Sequence, residues 1–193
     1  MNPYTYQKPI LMATVQKIVP NLWFAYEAED AAKFYVSVFK NGKIKKATYY
    51  GREGFEIHKM KSGTVMTVEF EIGGQTFVAL NGGPHFKFNE AVSFIINCDT
   101  QEEIDYFWNK LGEGGDPKAQ QCGWLKDKYG LSWQVVPTIL SKFYQDAQEN
   151  KTERVTAAML KMKKLDIAKL QEAYDEDSGA ESVPRKKQPV ETH

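Results

Sequence analysis

The sequence is poor in the residues that most often mark chemistry. Its 193 positions hold two cysteines and three histidines, and Cys98 and Cys122 stand 24 apart with no CxxC pair. Neither a disulfide framework nor a zinc knuckle is signalled, and both thiols read as reduced core or edge residues. No apolar run approaches the roughly 20 residues of a membrane helix, and the start MNPYTYQKP has neither a basic cluster nor a long apolar stretch. A soluble, cytoplasmic protein without a membrane role is the expectation. Net charge is absent too: 25 basic residues balance 25 acidic ones. A broad phosphate-binding face is thereby disfavoured, and no nucleic-acid partner is expected. Glycine pairs occur at 73–74, 82–83 and 114–115, but none forms the GxGxxG turn of a dinucleotide site.

What is present is patterned structure with 13% aromatic content, enough for a filled interior. Gln16 to Phe24 reads as a strand. Glu29 to Phe39 carries Ala31, Ala32, Tyr35, Val38 and Phe39 at helical spacing, and Asn41-Gly42 closes it. Lys45 to Tyr50 and Thr64 to Ile72 follow as strands, and the latter alternates Thr67, Glu69 and Glu71 against Val68, Phe70 and Ile72. Gly73-Gly74 turns it into a fourth strand, Gln75 to Asn81. After Gly82-Gly83-Pro84 the order restarts. Ala91 to Cys98 is a strand, and Asp99 or Thr100 caps a helix with Ile104, Phe107, Trp108 and Leu111 on one face. Gly123 to Lys128 and Leu131 to Val136 are strands, with a weaker one at Lys118 to Gln121. Two β-α-β-β-β units result.

The strings IVPNLWF, AAKFYVSVF, SGTVMTVEFEIGGQTFVALNGGPHFKF, AVSFIINCDTQEEIDYFWNKL and CGWLKDKYGLSWQVVP resemble the PhnB-like family of the vicinal oxygen chelate superfamily. Members often carry the label demethylubiquinone 3-methyltransferase-like. The resemblance implies an α+β fold of paired βαβββ modules forming an incomplete barrel (glyoxalase/bleomycin resistance/dioxygenase-like), a small-molecule cavity and a homodimer. Residues 14–138 are assigned to that domain, 139–175 to a helical extension and 176–193 to a disordered tail.

In the superfamily a divalent metal is held by His or Glu from four strands. The corresponding positions here are approximately Val19, Asn81, Ser93 and Gln134, none of which is a carboxylate, imidazole or thiolate. A metal-free site with no cofactor is therefore expected. Period-two alternation turns Val19, Asn21 and Trp23 of the first strand toward the cavity, with Phe77, Ala79 and Asn81 of the fourth, Ser93 of the fifth, and Ser132, Gln134 and Val136 of the last. Asn21, Trp23, Thr67, Asn81, Ser93, Trp124 and Gln134 are the expected ligand contacts, through indole stacking and polar hydrogen bonds.

Two residues stand out for acid/base work. Glu69 either lines the cavity as a carboxylate in a partly apolar wall, or faces solvent. His58, between the second and third strands, is either a mobile base at the cavity mouth or a solvated side chain. His85 belongs to a GGPHF turn that shapes a rim or is structural, and Cys122 has no histidine to activate it. The expected function is small-molecule binding, without metal and with at most weak catalysis. The alternative is a metal-assisted lyase, isomerase or dioxygenase of the same superfamily. Methyl transfer is disfavoured, because no glycine-rich strand-to-helix turn is present to hold a methyl donor.

Overall fold

A computed structural model describes residues 16–146 and 149–176. The chain divides into two compact units, with the division between Gly83 and Pro84.

The first unit runs β1 (Asn21–Phe24), α1 (Ala28–Val38), β2 (Lys43–Tyr49), α2 (Phe55–His58), β3 (Val65–Ile72) and β4 (Gln75–Asn81). Its sheet has the order β1-β4-β3-β2, with β1 parallel to β4 and the other pairs antiparallel. The first strand is shorter than the sequence suggests. Pro20 has no N–H to give a ladder, so it only accepts, from the Val78 N–H at 3.0 Å. The Gln16 side chain meanwhile pairs with the Thr76 backbone through its amide.

Helix α1 covers one face of this sheet. Tyr35 stacks on Phe70, with centroids 5.9 Å apart, and Phe70 on Phe77 at 5.5 Å. Leu22, Phe24, Val68, Ile72 and Ala79 complete that buried layer. The expected face of β4 is therefore reversed. Phe77, Ala79 and Asn81 point toward α1, and it is Thr76, Val78 and Leu80 that share the opposite face with Asn21, Trp23, Thr67 and Glu69. Both faces of β4 are apolar, so alternation alone cannot choose between them. The stacking of Tyr35, Phe70 and Phe77 chooses.

The second unit runs β5 (Ser93–Cys98), α3 (Gln101–Gly112), a 3-10 turn (Pro117–Ala119), β6 (Trp124–Lys126), β7 (Ser132–Pro137), α4 (Ile139–Gln145), α5 (Glu149–Leu160) and α6 (Ile167–Asp175). Its three-stranded sheet has the order β5-β7-β6. The weaker strand expected at Lys118 to Gln121 is a turn instead. Pro117 lacks a donor, the Asp116 carboxylate accepts from the Lys118 N–H at 2.8 Å, and only a single bridge, Gln121 to Trp124, extends the sheet. Thr100 caps α3 by accepting from the Glu103 N–H at 3.2 Å, and Glu103 reaches back to the Asp99 N–H at 2.7 Å. Ile104, Trp108 and Leu111 are buried as the helical stripe requires.

The last three helices bury Leu140, Phe143, Val155, Leu165 and Leu170 in one cluster, with Val136 packed against it. Gln101 on α3 donates to the Leu165 carbonyl at 3.2 Å and accepts from the Ile167 N–H at 2.9 Å. The extension thus packs in cis within the second unit. The tail expected to be disordered lies, from residue 177 on, outside the described residues. Among the described residues no helix is long and apolar enough to cross a membrane.

Candidate functional site

The face of the first sheet opposite α1 gathers Asn21, Trp23, Thr67 and Glu69 by strand register. Thr67 meets Thr48 hydroxyl to hydroxyl at 2.6 Å. The Trp23 indole donates to the Gly83 carbonyl at 2.8 Å and lies so close over Gly82 that a Cβ there would stand 2.2 Å from the ring. Glu69 is half-buried with the Lys45 ammonium 3.9 Å away, and Lys45 also pairs with Glu71 at 3.0 Å. The carboxylate therefore belongs to a charged row on the sheet, not to an apolar wall. Lysines 45 and 43 hold the Glu71 carboxyl below its ordinary range.

Asn81 does not join this face. Its Oδ1 accepts from the Ala28 N–H at 2.8 Å and its Nδ2 donates to the Val65 carbonyl at 3.0 Å, while its own carbonyl takes the Tyr50 hydroxyl at 2.5 Å. Helix α1 has no side-chain cap of its own at Glu27, so Asn81 caps it from a strand 53 residues away. Burial raises the Tyr50 phenol above its usual value. The Tyr50 ring in turn lies 4.4 Å from that of His58. Both ring nitrogens of His58 lie within hydrogen-bond distance of backbone groups. It ends α2, its Nδ1 accepts from the Met60 N–H at 2.9 Å, and its Nε2 lies 3.1 Å from the Glu53 carbonyl. Tyr50 pairs with Thr64, five residues along β3 from Glu69. At about 3.3 Å per residue the two acid/base candidates are separated by on the order of 15 Å and form no dyad.

The second sheet presents the more promising surface. Leu125, Trp133 and Val135 face the buried side, and Ser93, Ser132, Gln134, Trp124 and Lys126 share the other by their register. The Gln134 amide donates to the Ser93 hydroxyl at 2.9 Å. Beside them is an open pocket of about 410 Å³, lined by Glu90, Cys122, Trp124, Leu125, Lys126 and Ser132 among others. The Lys126 ammonium pairs with Glu90 at 2.5 Å and lowers the Glu90 carboxyl. Ser132 is 1% exposed and its hydroxyl has no hydrogen-bond partner, although buried polar groups are nearly always paired.

The turn that ends β6 is held by a residue that the motifs did not single out. Asp127 is 2% exposed, and its Oδ1 accepts from the Tyr129 and Leu131 N–H groups at 2.9 and 3.1 Å while Oδ2 accepts from the Trp133 indole at 2.9 Å. A D-x-Y-G turn signal was readable here, but not the burial that gives the carboxylate its scaffold role. Cys98 is buried, and burial pushes its thiol up to about 12.

The four positions that the resemblance approximately assigns to the superfamily's metal ligands do not fit a divalent ion, and Asn81 among them lies on the face of β4 that α1 covers. Val19 has no side-chain donor, Asn81 spends its amide on backbone, and Ser93 and Gln134 bond to each other. Among the described residues no three His, Cys, Asp or Glu side chains group as a metal site. The glycine pairs do not fit a methyl donor either, since they lie in the β3-β4 hairpin, after β4 and after α3.

Residues 16–136 match the family model described as 3-demethylubiquinone-9 3-methyltransferase. The chain belongs to this family. Its PhnB-like character shows in the PhnB protein of Bacillus cereus, which is 35% identical and aligns over 64% of this chain and all of its own with a TM-score of 0.54. Protein PA1353 of Pseudomonas aeruginosa aligns at 20% identity over 64% of this chain and 98% of its own, TM-score 0.49. The fosfomycin resistance protein FosX of Listeria monocytogenes aligns at 12% over 66% and 97%, TM-score 0.42. No curated protein matches the chain. The PhnB-like family assignment carries the glyoxalase/bleomycin resistance fold with it, here as two small sheets, one in each unit, with no closed barrel among the described residues and with added C-terminal helices.

Proposed function

We propose that this chain binds a small organic molecule in the pocket of its second unit, without a metal ion and with at most weak turnover. A homodimer in the cytoplasm is the setting that the family resemblance implies. The observation that carries the reading is Ser132: a buried hydroxyl without a partner, beside an indole, is a hydrogen-bonding site waiting for a ligand atom. Trp124 offers a flat apolar contact, and the Ser93-Gln134 pair offers further polar groups on the same face.

Native mass spectrometry of the purified protein tests this. A retained organic molecule, absent or bound roughly tenfold more weakly in W124A, supports the reading. One divalent ion per chain that survives dialysis and restores turnover would instead favour the metal-assisted lyase or dioxygenase reading. Glu69 and His58 lie in the first unit, outside this pocket, and are the acid/base assignments of the alternative enzyme reading alone. Turnover of an identified ligand that survives both E69Q and H58A would remove them.

A further inference from the structure

Lys126, Ser132 and Ser93 stand side by side in one row of the second sheet, on β6, β7 and β5. Trp124, Gln134 and Ile95 make the next row on the same face. Glu90 precedes Ser93 by three residues, and its carboxylate meets the Lys126 ammonium at 2.5 Å. The ion pair thereby ties the chain before β5 to β6, across the β7 position of Ser132. Little holds Glu90 there. It sits in a turn where the Asn89 side chain accepts from the Ala91 N–H at 3.0 Å, and its side chain is 63% exposed against 23% for Lys126. An ion pair with one partner so exposed contributes little to stability. What the strand fixes in the pocket wall is the cation, not the carboxylate.

We propose that the pocket takes a small aromatic carboxylate, and that Glu90 holds the ligand's place on Lys126 until it arrives. The inference rests on the small-molecule reading above and narrows it to one ligand class. Lys126 has a carboxylate partner before and after the exchange, so its charge is never stranded in the pocket wall. The exchange of one carboxylate for another is by itself close to neutral, and the gain comes from the ring. Trp124 stands one row along from Lys126, about 7 Å away at the usual strand rise, which is the span of a ring bonded directly to a carboxylate. Leu125 and Ala119 add apolar lining. The Glu90 carboxylate makes no such contact, because its short stem leads back to the turn. A second feature points the same way. The Ser132 hydroxyl is the one buried side-chain oxygen without a partner among the described residues, and the ion pair crosses its position without bonding to it. While Glu90 occupies Lys126, only a fraction of the molecules can accept the ligand, and the apparent affinity falls by that fraction.

Calorimetric titration of the native full-length protein with benzoate, benzyl alcohol and acetate at neutral pH tests this. Benzoate should bind about tenfold more tightly than benzyl alcohol, which lacks the charge, and than acetate, which lacks the ring. K126M should lower benzoate affinity about tenfold and leave benzyl alcohol unchanged. E90Q should raise benzoate affinity about threefold to fivefold by freeing the lysine, a gain that no loss of folding can imitate. Benzoate bound no better than benzyl alcohol or acetate, or with an affinity that E90Q does not raise, overturns the proposal. If benzyl alcohol binds as tightly as benzoate and W124A weakens both, the carboxylate class fails and small-molecule binding stands. If none of the three binds, the carboxylate class fails as well; a molecule retained in native mass spectrometry then keeps the small-molecule reading, and its absence removes both.

Discussion

Replacing Asn81 with alanine takes an acceptor from the Ala28 N–H and a donor from the Val65 carbonyl, two backbone groups that the fold has drawn away from water. A buried group left unpaired costs more than a hydrogen bond contributes, so N81A should destabilise the chain by about 3 kcal/mol. N81D keeps an acceptor for Ala28 but sets a buried carboxyl against the Val65 carbonyl, and it should cost at least as much as N81A. Urea denaturation reads both variants through their midpoints, provided the slopes agree with wild type. A loss under roughly 1 kcal/mol for N81A would mean that water replaces the amide, contrary to the burial of this side chain, which is 3% exposed. The chemical type of Asn81 was legible in the sequence as a polar residue ending an apolar strand. Its partners were not, because they lie 53 and 16 residues away and become neighbours only when β4 and α1 meet.

At the level of elements, two glycines separate crowding from backbone strain. At Gly82 no positive φ is involved, yet a Cβ would meet the Trp23 ring at 2.2 Å. G82A should therefore displace the indole from its bond to the Gly83 carbonyl and cost about 2 kcal/mol, as overpacking does. Gly74, in the β3-β4 hairpin, has a φ of +77° and open space around it. G74A should cost about 1 kcal/mol from conformation alone and leave Trp23 fluorescence unchanged. Equal spectra for the two variants would refute the assignment of Gly82 to Trp23. The order of strands and helices was readable, because each carries its own period: α3 spans the expected stripe, and β3 alternates as written. Which face of β4 is covered was not, since Phe77 and Ala79 on one side are as apolar as Val78 and Leu80 on the other. The division of β7 into a Ser132-Gln134 face and a Trp133-Val135 face was readable, whereas the unpaired state of the Ser132 hydroxyl is a property of packing that no period records.

At the scale of the chain, the family match ends at residue 136, just before α4, yet the second unit does not end there. The carbonyls of Met162 and Lys163 accept from Cys122 and Gly123, and Lys164 pairs with Asp105 on α3 at 2.7 Å. Leu165 joins the buried cluster and stands 3.0 Å from where a Cβ on Gly123 would be. The extension thus braces the turn that lines the candidate pocket, and the bracing is testable without removing it. L165A should cost about 3 kcal/mol, as truncation of a buried leucine does, while leaving the Met162 and Lys163 carbonyls in the chain. If the extension holds the Cys122-Gly123 turn through this packing, amide hydrogen exchange at these two positions should accelerate in L165A well beyond that at Phe70, in the core of the first unit. Equal acceleration at all three would mean that the variant only lowers global stability. Unchanged exchange at Cys122 and Gly123 would mean that the two carbonyls hold the turn without help from the helical cluster.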